Sequence, residues 1–431
     1  MSTIAVIGTG YVGLTTGAYL AHIGHKVVCA DLVADKIGRL SQGEIPIFEA
    51  GLEELVRAGL ASAQLRFVVG SAAAVGGAEF VFLCLPTPQG EDGSADLSWV
   101  RAEAERLGPL LGPGTIVVNK STVPVGSTRM VEQALARGDV FVVSNPEFLR
   151  EGSAVHDSLN PDRIVIGADD AAAASRVARL YARIHAPVLV TDPASAELIK
   201  YASNAFLATK ISYINAIANL CEVVGADVKE VVLGMGYDRR IGFEYLRPGP
   251  GWGGSCFPKD TRALVHIADD AGYDFGLLEG VIEVNVAQYA RMADKVQRAC
   301  RDGVIEGRTL AVWGLTFKAL TDDLRDSPAL EVVRQLVGRG ATVRAYDPMV
   351  SAARAVGDDR FSGVTICADP YGACDGADLV VVLTEWDELR WLDFEKVRAL
   401  LRTPVVIDCR NLLDPAAMRR RGFGYHGVGR T

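Results

Sequence analysis

The sequence predicts an α/β protein with two Rossmann-like doubly wound domains, joined by a central helical region with a long bridging helix. Three observations carry that expectation. Short apolar runs alternate with helix-like stretches over the first third of the chain, a stretch after Pro193 has helical apolar spacing without a breaker, and the opening pattern returns after Thr309.

The runs at 4–7, 26–30, 80–85, 115–119, 140–144 and 164–166 are expected as strands, because short strands alternating with helices signal βαβ units and a parallel sheet. Between Pro193 and Gly225 there is no Gly or Pro, and Leu198, Ala202, Ala205, Phe206, Ile211, Ile214, Ile217, Ala218 and Cys221 recur near helical spacing. A helix over most of that stretch is about 45 Å long, enough to bridge two domains and offer a dimerisation face. A buried core helix would show the same spacing. From Thr309 onward, LAVWG at 310–314 echoes IAVIG at 4–8, VRAYD at 343–347 echoes VVCAD at 27–31, and ADLVVVL at 377–383 echoes the run that ends at Leu85. The second half lacks the glycine fingerprint of the first and is expected to hold something other than a dinucleotide. The expected division is 1–192 for a first Rossmann-like domain, 193–300 for a helical dimerisation domain with a cysteine loop, and 301–431 for a second Rossmann-like domain.

The 431 residues are 49% hydrophobic, more than one ordinary domain needs. A formal charge of −9 argues against general affinity for nucleic acid or an anionic membrane. No run of 18 apolar residues appears, and Met1 leads straight into an apolar run without a charged lead, so a soluble cytoplasmic protein is expected. The eight cysteines show no paired spacing and lie mostly in apolar segments, where reduced core thiols belong. His22 and His25 are three apart but have no partner ligands, so no metal is expected.

Gly8, Gly10 and Gly13 form GxGxxG directly after an apolar run, and Tyr11 and Val12 lie where a helix would open. In that setting the glycines permit a tight turn and close approach of the backbone to a pyrophosphate at the helix N-terminus. Asp31 ends the second run about 18 residues later, where a carboxylate binds the adenosine ribose hydroxyls and repels a 2′-phosphate, favouring NAD over NADP. A structural glycine turn with a solvated aspartate is the plain alternative.

Residues 248–260 read PGPGWGGSCFPKD, and Pro258 fits the first turn of a helix over 259–269. Cys256 then stands beside a helix N-terminus, where the dipole favours the thiolate and the glycines leave the sulfur accessible. Asp260 follows one turn later. Lys200 and Asn204 are i, i+4 on the long helix and could present an ammonium and an amide to one developing oxyanion, although a solvated pair has the same spacing. NPEFLREG at 145–152 follows an apolar run and holds Glu147 and Glu151, either of which could activate a water.

Together these segments resemble the UDP-glucose/GDP-mannose dehydrogenase family over nearly the whole chain. The resemblance rests on GTGYVG (8–13), PTP (86–88), KSTVPVG (120–126), NPEFLREG (145–152), ELIKYASNAF (197–206), RIGFEYL (240–246), GGSCFPKD (253–260), GLTFK (314–318), DDLRDSPALE (322–331), TEWDE (384–388) and DCRNLLDP (408–415). It implies an N-terminal NAD domain, a central helical dimerisation region and a C-terminal sugar-nucleotide domain in a homodimer. It also implies two oxidations at one site, from alcohol to aldehyde and from a cysteine thiohemiacetal to a thioester that water hydrolyses. The RIG-containing loop and GGSCFPKD are most similar to the UDP-glucose branch, whose reaction converts UDP-glucose, two NAD and water to UDP-glucuronate and two NADH.

Carried onto matching positions, the resemblance implies that Cys256 is the nucleophile, that Lys200 and Asn204 hold the negative oxygen, and that Asp260 takes part in proton removal. Thr122 and Glu151, with Glu147 nearby, are implied for the hydrolytic water. Thr87, Ser121, Thr122, Glu151 and Arg325 are implied beside NAD, with Lys36 near the adenosine. For the sugar nucleotide it implies Glu147, Phe148, Leu149, Glu151, Lys200, Asn204, Arg240 from a partner subunit, Tyr245, Leu246, Gly253, Cys256, Phe317, Lys318 and Arg410. Tyr245 and Trp252 depart from the aromatic residues common in relatives. Three other readings stay open: oxidation of GDP-mannose or a UDP-N-acetylhexosamine, a 3-hydroxyacid dehydrogenase, and a nucleotide-sensing protein without turnover.

Overall fold

The computed structural model describes residues 1–90 and 93–430. The chain forms two compact units, residues 1–203 with 262–273 and residues 204–261 with 274–431.

The first unit is built on β1 (Thr3–Ile7), β2 (Lys26–Asp31), β3 (Leu65–Val69), β4 (Phe80–Leu83), β5 (Ile116–Asn119), β6 (Phe141–Ser144), β7 (Ile164–Gly167) and β8 (Val188–Thr191). They lie in the order β3-β2-β1-β4-β5-β6-β7-β8, parallel throughout except between β6 and β7. Ile4 and Val6 enter one core with Val27, Cys29, Phe80 and Phe82, whereas Ala5 and Ile7 enter the other with Val28, Ala30, Val81 and Leu83. Both faces of the sheet are buried, which is why its central strands read as unbroken apolar runs. β3 and β8 fall outside the runs expected from sequence. β3 alternates buried Leu65 and Phe67 with exposed Arg66, and β8 is an edge strand whose Val188, Leu189 and Val190 are exposed.

The second unit repeats the plan with β9 (Thr309–Trp313), β10 (Thr342–Tyr346), β11 (Val364–Ile366), β12 (Leu379–Val382), β13 (Val405–Asp408) and β14 (Gly424–His426), all parallel in the order β11-β10-β9-β12-β13-β14. This is the strand order of the first six strands of the other sheet, so the weak echo in sequence is a repeat of topology. Gly314 has φ +93 and donates to the Tyr346 carbonyl, as Gly8 has φ +94 and donates to the Ala30 carbonyl. Asp347 stands after β10 as Asp31 ends β2. It is buried and accepts from Leu315 N (2.7 Å), Thr316 N and Oγ1 (2.9 Å each) and Trp386 Nε1 (3.1 Å). Asp347 is 2% exposed whereas Asp31 is only half-buried, so burial shields this carboxylate from an incoming ribose.

The long helix is Pro193–Val224, 32 residues and so about 48 Å. Proline at its start costs no hydrogen bond, because the first N–H groups of a helix have no partner within it. Ile214, Ala218 and Cys221 join the core of the second unit with Met292, Ala293 and Val296 of the helix Gly276–Ala299. Among the described residues no helix is long and apolar enough to cross a membrane.

Candidate active site

The open βαβ turn of the first unit is shaped by three glycines with different duties. A Cβ on Gly8 would run into the Cys84 carbonyl, and one on Gly13 into the Gly8 carbonyl. Both are demands of packing. Gly10, which precedes the helix Tyr11–His22, would meet nothing within 4 Å. Protein packing therefore does not require glycine at this position, and the helix N-terminus beside it is open to close approach of the kind a pyrophosphate makes.

Asp31 is held in place from both sides. Its Oδ2 accepts from Thr9 N (3.1 Å), Thr9 Oγ1 (2.6 Å) and Lys36 Nζ (2.8 Å), and Oδ1 from Val33 N (3.2 Å). Burial raises its pKa, but the bonds from Lys36 and Thr9 outweigh that and leave it well below the ordinary carboxylate value. A fixed anion there suits a ribose diol and opposes a phosphate. Asp31→Ser is expected to raise the KM for NAD by about 10–100-fold, the worth of a hydrogen bond to a charged group, while turnover with NADP rises. Steady-state kinetics with both dinucleotides measures the ratio.

Thr87 Oγ1 donates to the Thr122 carbonyl (2.9 Å) and Ser121 Oγ to the Leu85 carbonyl (2.7 Å), stitching together the loops after β4 and β5. Thr122 itself is half-buried. Glu49, which sequence reasoning passed over, organises the next loop. Its buried carboxylate accepts from Tyr11 Oη, from Gly152 N (2.7 Å) and from Ala154 N (2.7 Å), tying the dinucleotide helix to the backbone beside Glu151. Arg150 closes the loop through Asp157 at 2.6 Å. Val12 packs beside the core below.

Three charges are buried behind these loops. Lys200 Nζ donates to Glu147 Oε1 (2.9 Å), and Glu147 Oε2 accepts from Leu149 N (2.6 Å). Burial raises the Glu147 pKa, but the charge of Lys200, the Leu149 N–H and the charge of Lys120 bring it below the ordinary carboxylate value. The Phe148 ring lies beneath the Arg163 guanidinium at 3.6 Å, with the Lys200 ammonium 5.5 Å from its centroid. Lys120 was quoted only as part of a motif. A lysine following the apolar β5 was the available signal.

In the second unit, the loop before Cys256 is pinned by buried amides. Asn215 Oδ1 accepts from Gly249 N (2.8 Å), Gln288 Nε2 donates to the Gly249 carbonyl (2.9 Å), and Asn285 bonds Trp252 N (2.8 Å) and the Trp252 carbonyl (3.0 Å). Trp252 Nε1 donates to Ser212 Oγ at 2.9 Å. Cys256 directly precedes the helix Phe257–Asp270, and its carbonyl accepts from Asp260 N (2.8 Å), so the thiol stands at a helix N-terminus. Asp260 is fully buried, with Oδ2 accepting from Asn204 Nδ2 (2.6 Å) and Oδ1 from Lys259 Nζ (2.5 Å).

The other cysteines are different in kind. Burial pushes the thiols of Cys84, Cys374 and Cys409 up to about 12 and raises those of Cys29, Cys221 and Cys300. Cys256 and Cys367 are partly exposed, and of these two only Cys256 directly precedes a helix.

Of the residues implied for a sugar nucleotide, Glu147, Phe148, Leu149, Glu151 and Lys200 belong to the first unit and the rest to the second. A Cβ on Gly253 would strike the Asp326 carbonyl, and one on Gly254 would lie 2.7 Å from the Phe317 ring. Arg410 donates to the Phe317 carbonyl (2.8 Å) and the Leu383 carbonyl (2.8 Å), placing its guanidinium beside Phe317 and Lys318. Tyr245 adopts φ +63 with its ring 6.3 Å from that of Phe257, while Leu246 is buried in the core. Arg325 belongs to this unit and pairs with Asp323 at 2.7 Å. Arg240 is exposed and pairs with Asp238 at 2.6 Å.

The family model of the UDP-glucose/GDP-mannose dehydrogenase NAD binding domain matches residues 2–185, that of the central domain 194–287, and that of the UDP binding domain 311–415. The chain is 46% identical to the UDP-glucose 6-dehydrogenase TuaD of Bacillus subtilis, over 100% of this chain and 94% of that protein. It is also 46% identical to a UDP-glucose 6-dehydrogenase of Pseudomonas aeruginosa, over 99% and 97%. A UDP-glucose dehydrogenase from the archaeon Pyrobaculum islandicum superposes with TM-score 0.90 at 40% identity, over 100% of this chain and 98% of that one. Three consecutive family domains and identity over the full length lead to one conclusion: the chain belongs to the UDP-glucose/GDP-mannose dehydrogenase family.

Proposed function

We propose that the protein oxidises the C6 alcohol of UDP-glucose to a carboxylate, consuming two NAD and one water and releasing UDP-glucuronate. The observation that carries the reading is Cys256, a half-exposed thiol at a helix N-terminus on an amide-pinned loop, one turn from Asp260 and its partner Asn204. NAD, held by the loop from Gly8 to Gly13 and by Asp31, supplies the hydride acceptor for both oxidations.

The chain's own groups do the rest. Lys200 and Asn204 stabilise the oxygen as it becomes an alkoxide, while Asp260, through an ordered water, accepts the proton. The Cys256 thiolate adds to the aldehyde carbon, forming a C–S bond and returning negative charge to the same oxygen. Oxidation of that thiohemiacetal leaves a thioester. Water oriented by Thr122 and Glu151, with Glu147 nearby, attacks it; the C–S bond breaks and the thiolate is regenerated. Phe317, Lys318, Arg410 and the partner's Arg240 would hold the UDP group, since cationic forks and aromatic faces suit a diphosphate and a base.

We propose a functional division at 1–192, 193–300 and 301–431. We also place the protein as a cytoplasmic homodimer. Phe206, Tyr213 and Leu220 recur at heptad spacing on the long helix and are exposed with Val223 and Val224, which supports a partner helix on that face. Eight cysteines without a disulfide support a reducing compartment.

Counting NADH against product tests the whole reading. Two NADH per UDP-glucuronate is expected. Turnover only with GDP-mannose or a UDP-acetamidosugar would reject the substrate, and one NADH per product would reject the four-electron route.

A further inference from the structure

Lys120 is the first residue after β5 and is 6% exposed. Its Nζ donates to Asn145 Oδ1 at 3.2 Å. Asn145 Nδ2 donates to the Val165 carbonyl (2.7 Å) and Tyr181 Oη donates to the same Oδ1, an arrangement that orients the amide with its oxygen toward Lys120. The amide oxygen therefore serves as an acceptor for the Lys120 amine. The charged or titratable groups facing Lys120 are Glu147 from the loop after β6, Lys200 from the long helix, Cys84 directly after β4, and the Tyr181 hydroxyl on the shared Asn145 oxygen, which burial keeps neutral. Burial pushes the Cys84 thiol up to about 12 and keeps it neutral, so one carboxylate faces two ammonium groups.

That ratio matters at Lys200. A buried lysine fully neutralised by one glutamate exerts little potential on a nearby oxygen, whereas a second cation facing the same glutamate restores the positive field. We propose that Lys120 is a positioning residue of the oxidation: bonded to Asn145, two residues before Glu147, it supplies the second positive charge that lets the Lys200 ammonium stabilise the negative oxygen. The inference rests on the reading of Lys200 given above. It also assigns a pH dependence. Burial, reinforced by Lys200 and opposed by Glu147, lowers the Lys120 pKa to about 8, so the supporting charge is present below that pH and lost as pH rises through it.

Lys120→Met and Lys120→Arg in the full-length enzyme, assayed from pH 6 to 10 with NAD and UDP-glucose, test the assignment. The wild type is expected to lose kcat as pH rises through about 8. Lys120→Met should lower kcat by about tenfold or more at neutral pH, with both KM values within about threefold, and abolish that alkaline fall. Lys120→Arg should recover most of kcat and move the fall upward, because arginine keeps its charge. A methionine variant with wild-type kcat and pH profile overturns the proposal, as do equal losses in both variants accompanied by rising KM. If the methionine variant does not fold, Lys120→Arg decides, and an alkaline fall left near pH 8 overturns it. A parallel Lys200→Met separates the two failures: unaltered acid production there rejects the reading of Lys200 itself.

Discussion

Cys256→Ser is expected to lower UDP-glucuronate formation by at least about a thousandfold, with loss of the second NADH. A thiolate is accessible near neutral pH at a helix N-terminus, whereas a serine hydroxyl there stays protonated and its ester is a poorer acyl donor to water. The helix Phe257–Asp270 and the pinned glycine loop do not depend on the sulfur, so the fold and both KM values should change little. Aldehyde trapped by a hydrazide probe, together with acid measured directly, checks the outcome. Acid formation at the wild-type rate would reject covalent catalysis. A uniform loss of both NADH would place the thiol before the first oxidation.

The second large effect is expected at Lys200. Lys200→Met removes a charged donor from the developing oxyanion, which costs about 10²–10³ in kcat. It also leaves Glu147 buried with one cation where it had two, and breaking a buried pair destabilises a protein by as much as about 3–5 kcal/mol. Glu147→Gln added to Lys200→Met removes the weakened carboxylate but leaves Lys120 facing none, so it should restore only part of the lost Tm while leaving kcat low. Recovery of both together would make the pair structural alone. The sign of the acid dependence follows from the same pair. Glu147 in the folded protein titrates below its ordinary value of 4.5, so its stabilisation is complete above that value and is lost as pH falls through the lower, folded-state value. Lys200→Met should flatten that acid limb in thermal melts between pH 3 and 6.

Much of this was legible in the chain. The central strands of both sheets are buried on two faces and read as apolar runs, and the long helix announced itself by a stretch without Gly or Pro. The helix after Cys256 begins two residues earlier than the proline alone suggested, at Phe257. The edge strand β8 was missed because its exposed Val188, Leu189 and Val190 contribute to no core, and a short apolar run after a proline is ambiguous. Glu49 left no signal at all. It is a carboxylate in a loop, and its three donors come from residues 11, 152 and 154, which only folding brings to it.

Local chemistry therefore determined the residue types: glycines for a turn, Asp31 at a strand end, a thiol before a helix, and Lys200 with Asn204 one turn apart. Each depends on neighbours within a few positions, where spacing in the chain is spacing in space. Tertiary structure alone decided their charge states and second partners. Asp31 is an anion clamped by Thr9 and Lys36, while its topological twin Asp347 is sealed by Leu315, Thr316 and Trp386. Likewise Lys200 meets Glu147 and Lys120 across loops that follow different strands. Electrostatic interaction and desolvation depend on three-dimensional distance and burial, quantities that no run of adjacent residues specifies.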